Sequence, residues 1–129
     1  MAKKLTEKKI ENLAKEIRSF LIEHQLWVDT TIYFNGKAFS TDDRNHHFAY
    51  NDPEDLIVLE DQDPKRVCEY AIGILDMTFE GPLYDILNDN GEYGWEYSEK
   101  IEEKFRAIFH KYGLYYELGY PWSLSACYE

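Results

Sequence analysis

Ser123, Ser125 and Cys127 recur at every second position in YYELGYPWSLSACYE, residues 115–129. Alternation along a strand places all three on one face, where a hydroxyl or thiol nucleophile would need an activating base and a sharp turn to present it. Neither a GxSxG elbow nor a neighbouring histidine accompanies them. Their expected role is to leave room for a helix or loop to pack closely. His46 and His47, with Asp42 and Asp43 upstream, form the other reactive cluster. Adjacent strand residues point to opposite faces, so both imidazoles reach one ion only from an irregular loop, and the chain has no HExxH or spaced His/Cys set. His24 falls on an apolar helix stripe, and His110 sits near a helix C-terminus, where the dipole favours a cation. In ILNDNGEYGWEY, placing Gly91 at the invariant sixth position of a calcium loop puts Ile86 and Tyr97 where carboxylates are required. No phosphate-cradling GxGxxG or GxxxxGKS/T occurs. The expectation is a chain without catalytic residues, bound metal or cofactor.

The acidic segments read first as a solvated, solubility-giving surface, and the functional use they offer is binding. Glu92, Tyr93, Trp95, Glu96 and Tyr97 lie between a helix stop at NDNG and the expected cap Ser98, with Glu99, Glu102 and Glu103 just beyond. Exposed aromatics ringed by carboxylates would combine contact area with steering toward a basic partner, so these five residues form the candidate partner-binding face. A second acidic segment comprises Asp42, Asp43, Asp52, Glu54, Asp55, Glu60, Asp61 and Asp63. The physical profile is that of a small binding protein of the inhibitor, immunity-protein or nucleic-acid-mimic kind. One alternative is a small ligand-binding domain or enzyme with a pocket beside the C-terminal hairpin, using His47, Tyr115 or Tyr120. Another is a structural subunit that self-associates through its aromatics.

Charge sets the class of partner. The 129 residues carry a formal charge of −11, with 16% aromatics and 11 tyrosines. Residues 1–20 hold six bases against three acids, so the acidity resides in the rest of the chain. Such a body repels a phosphate backbone, and direct nucleic-acid binding is not expected. MAKKLTEKKI lacks the apolar core of a secretory signal, and no run of apolar residues reaches membrane-spanning length. A cytoplasmic protein with Cys68 and Cys127 reduced is therefore expected.

The elements that must position these residues follow from periodicity. Thr6 caps a helix over 7–25, with Leu5 and Ile10 as a hydrophobic staple and Ile10, Leu13, Ile17, Phe20, Leu21 and His24 on one stripe. Asn35-Gly36 marks a two-residue hairpin turn that pairs Phe34 with Lys37 and Ile32 with Phe39. Short strands are expected near 47–50 and 56–59, and Asp63-Pro64 opens a brief helix ending near Gly73. ILDMTFE alternates, with Leu75, Met77 and Phe79 inward and Asp76, Thr78 and Glu80 outward. Gly81-Pro82 begins a helix through Leu87, and a last helix capped by Ser98 ends at Gly113. A loop of Gly119, Tyr120 and Pro121 would then pair Leu118 with Trp122, Tyr116 with Leu124 and Leu114 with Ala126, all buried, and set Ser123 opposite Glu117. With no linker or repeat, residues 1–129 read as one α+β domain: a mostly antiparallel sheet built from hairpins, with helices packed on one face.

Overall fold

The computed structural model describes residues 4–88, 91 and 93–129. Helix α1 spans Glu7–Glu23, and the Thr6 side chain accepts the Lys9 amide at 3.2 Å. It stops two residues earlier than its apolar stripe suggests. Gln25 adopts φ 61° and the Leu26 amide donates back to the Leu21 carbonyl at 2.7 Å, closing the helix without a glycine.

Strands β1 (Thr30–Phe34) and β2 (Lys37–Ser40) form the Asn35-Gly36 hairpin in the expected register, with Ile32 opposite Phe39. Then come β3 (Ile57–Leu59), β4 (Asp76–Phe79), α2 (Pro82–Leu87), α3 (Trp95–Lys111), β5 (Leu114–Leu118) and β6 (Ser123–Tyr128). The order across the antiparallel sheet is β3-β2-β1-β4-β6-β5. Ile32, Phe34, Phe39, Met77, Phe79, Leu124 and Ala126 line one face, and the apolar stripes of the three helices close over it as one core. Gly81 permits the turn into α2, because a Cβ there would sit 2.4 Å from the Val28 carbonyl oxygen.

The opposite face is covered at its centre and open at its β5 edge. Tyr33, Ala38, Asp76, Ser123 and Ser125 point that way and are all buried. Irregular chain preceding β4 folds back over Asp76, Ser123 and Ser125. The Asp76 carboxylate accepts the Ile72 amide at 3.0 Å, the Gly73 amide at 2.9 Å and the Ser125 hydroxyl at 2.6 Å. Asp76 thus points outward from the helices, as alternation requires, yet lies beneath a loop.

Four expectations need correction. Residues 47–50 form no strand: Arg44 and His46 take positive φ, leaving a single bridge between Asp42 and Phe48. The helix after Asp63 is one 3-10 turn, Pro64–Arg66, because Tyr70 and Ile72 are exposed and no apolar stripe holds a longer helix to the body. Ser98 is buried inside α3, which begins a turn earlier at Trp95 with Gly94 (φ 85°) before it. In the last hairpin, Leu118 pairs with Leu124, Tyr116 with Ala126, Leu114 with Tyr128 and Glu117 with Ser125. This register is slipped by two residues from the expected one, which keeps every side chain on its face. Leu118 is therefore 42% exposed at the end of an edge strand, and Tyr116 and Trp122 are half-buried.

Candidate functional site

The aromatic cluster at the start of α3 is built by the helix period. Ser98, Ile101, Phe105, Ile108 and Phe109 form the buried stripe. Trp95, Glu99, Glu102 and Arg106 follow the same spacing on the flank beside it and line a shallow groove. Trp95 is 63% exposed, and its indole lies over Gly91, where a Cβ would come within 3.4 Å of the ring. Tyr93 and Tyr97 are also exposed, with ring centroids 6.3 Å apart. Together with Gly94, Glu96 and Lys100 these three aromatics border an open depression of about 620 Å³. Glu92 lies outside the described residues.

Electrostatics around this patch are more balanced than the acidic composition suggests. Glu96 pairs with Lys100 at 3.8 Å and Glu102 with Arg106 at 3.3 Å. Residues 93–111 carry four glutamates and four Lys or Arg residues, so the acidic excess lies elsewhere. It is densest at 42–63, where Phe48, Tyr50, Leu56 and Val58 are exposed among the carboxylates. There Asp43 accepts the Asn45 and His47 amides, which hold its carboxyl below the usual range. Tyr50 donates to Asp29 at 2.6 Å, and this bond raises its phenol to about 12.

The other predicted ligand residues do not converge. His47 bonds Asp55 at 2.7 Å beside β2, whereas Tyr115 is on β5, four strands away across the sheet. Tyr120 stacks on Trp122 at 4.9 Å and donates to Glu69 at 2.9 Å. Tyr115 sits opposite Cys127, whose thiol is pushed up by burial and by the Glu117 charge. Neither serine of this strand meets a histidine: Ser123 accepts the Tyr120 amide and Ser125 is held by Asp76. Among the described residues, no three His, Cys, Asp or Glu side chains are grouped to hold a metal ion, and no helix is long and apolar enough to cross a membrane.

Tyr70, Ile72 and Leu118 were missed by sequence reasoning. They border a cleft beside the C-terminal hairpin, together with Glu117, Gly119 and Ser125. The available signal was negative: VCEYAIG has no helical stripe, so its Tyr and Ile have no obvious burial site. Compared with protein-family models, curated proteins and solved structures, the chain matches none.

Proposed function

We propose that this protein is a non-catalytic binding module that occupies a basic protein partner, in the manner of an inhibitor, immunity protein or nucleic-acid mimic. Tyr93, Trp95, Glu96 and Tyr97 form the contact face, and Glu92 adjoins it in sequence. The observation that carries this reading is the exposure of three large aromatics side by side at one helix end. Exposed Trp and Tyr on a well-packed helix lose little side-chain freedom on contact, and such residues dominate binding energetics. The formal charge of −11 steers positively charged proteins toward the surface as a whole.

Contact and steering separate experimentally. A photocrosslinking residue at position 95, introduced in native cells, identifies the partner, and purified proteins then give the rate constants. Trp95→Ala is expected to leave folding stability within about 0.5 kcal/mol of the parent while speeding dissociation at least tenfold, in line with a loss of about 1.4 kcal/mol or more. Raising salt should slow association of both proteins alike. Equal capture and equal dissociation by Trp95→Ala would refute the contact face.

A further inference from the structure

The cleft bordered by Tyr70, Ile72, Glu117, Leu118, Gly119 and Ser125 lies on the sheet face away from the helices, and it has a volume of about 320 Å³. Its rim gathers two of the exposed large apolar side chains, Tyr70 at 56% and Ile72 at 50%, and the end of β5 at Leu118 closes it with backbone. These positions are held by the loop-to-sheet bonds already described: Asp76 fixes the Ile72 and Gly73 amides, and Ser125 donates to Asp76 from the cleft wall. The hairpin turn comes close enough to Tyr70 that a Cβ on Gly119 would lie 3.1 Å from the Tyr70 Cβ. Tyr120 braces the tyrosine from the side, with ring centroids 5.2 Å apart.

The charge in this region has one sign. Residues 67–99 and 113–129 contain no Lys, Arg or His, so the loop and the hairpin that form the cleft supply only acids. Glu117 stands on the wall, and Asp76, 4% exposed, lies behind Ser125 with only neutral donors bonded to it. Among the described residues neither carboxylate has a basic partner. The Tyr115 phenol is raised by Cys127 and Glu117, the Tyr120 phenol by its bond to Glu69, and the Cys127 thiol by burial and then by Glu117. An oxyanion would be repelled from such a cleft. A neutral apolar ligand would strip water from the carboxylates without replacing it. A cation with an apolar stem satisfies both parts, since its charge meets Glu117 and the Asp76 field while its stem and face pack on Tyr70 and Ile72.

We propose that this cleft binds an organic monocation, a guanidinium or alkylammonium group, with Glu117 as its counter-charge and the Tyr70 ring as its platform. The site is independent of the aromatic patch on α3, which packs on the other face of the sheet.

The test is a titration of isotope-labelled protein followed by amide NMR at about 0.15 M salt, where nonspecific attraction to the acidic surface is screened. The probe is N-acetyl-arginine amide, and the control is N-acetyl-citrulline amide, which has the same shape without the charge. Saturable shifts centred on Tyr70, Ile72, Leu118 and Gly119 are expected with the arginine probe and not with citrulline. Glu117→Gln and Tyr70→Ala, both at exposed positions, should each weaken binding about tenfold, while Trp95→Ala leaves it unchanged. A further arm uses a blocked glycine-rich pentapeptide with one central arginine. Tighter binding of the peptide assigns the cleft to a side chain of a protein partner, and equal or weaker binding assigns it to a free amine or guanidine. Three results would overturn the proposal: equal affinity for citrulline, shifts as large around residues 42–63 as around the cleft, or binding unaffected by both cleft variants.

Discussion

Asp76→Asn is the perturbation that most directly tests how the irregular chain is held to the sheet. The carboxylate is 4% exposed and accepts three bonds, from the Ile72 amide, the Gly73 amide and the Ser125 hydroxyl. Asparagine keeps one acceptor oxygen, loses the charge, and turns the other position into a donor that must face an N–H or O–H donor. A bond to a charged acceptor contributes about 1.5–3 kcal/mol, and a buried donor left unsatisfied costs about 1–3 kcal/mol. With the amide oxygen toward Ile72 and Ser125, two weakened bonds and the orphaned Gly73 amide therefore predict a loss of about 2–5 kcal/mol. For a chain of this size each kcal/mol lowers Tm by about 3–4 °C, so a fall of about 6–20 °C is expected. Urea denaturation and calorimetry give the global value. Hydrogen exchange at Ile72 and Gly73 gives the local one, and both amides should lose protection far more than those of β1. A Tm within 2 °C or so of the parent, or unchanged exchange at these two amides, would refute the anchoring role.

Other expectations follow from local geometry. Gly81→Ala places a Cβ 2.4 Å from the Val28 carbonyl oxygen, so a loss of about 1–3 kcal/mol is expected in denaturant unfolding. Gln25→Gly relieves a side-chain-bearing residue at φ 61° and should raise stability by about 0.5–1 kcal/mol by the same measurement. The Tyr50 phenol, raised to about 12 by its bond to Asp29, favours the protonated native form. Its contribution to stability is therefore fully present below pH 10 or so, the unfolded value, and fades as pH rises through about 12. Unfolding measured across that range should show a shallower decline for Tyr50→Phe, and an unchanged slope would refute the assignment.

The sequence by itself determined the α+β architecture, α1 with its Thr6 cap, the Asn35-Gly36 hairpin and its register, α2 after Gly81-Pro82, and which side chains of β4 face the helices. These rest on local rules, capping, turn chemistry and side-chain periodicity, that act within a few residues. Tertiary structure decided the remainder. Alternation places Asp76 on the face away from the helices, but only the returning chain made that face an interior and turned an outward carboxylate into an anchor. Pairing in the C-terminal hairpin slipped by two residues because a period of two cannot distinguish registers that keep every face, and this left Leu118 exposed at the end of the edge strand. The aromatics at 93–97 were legible as a cluster, but their placement on the first turn of a helix depended on α3 starting at Trp95 with Ser98 buried. Tyr70, Glu117 and Ser125 are distant in sequence and share no motif. They meet at one cleft because β6 lies between β4 and β5, and because Asp76 holds the loop bearing Tyr70 beside the hairpin bearing Glu117. Strand order is a non-local choice set by the packing of the whole core, so no short stretch of the chain encodes that juxtaposition.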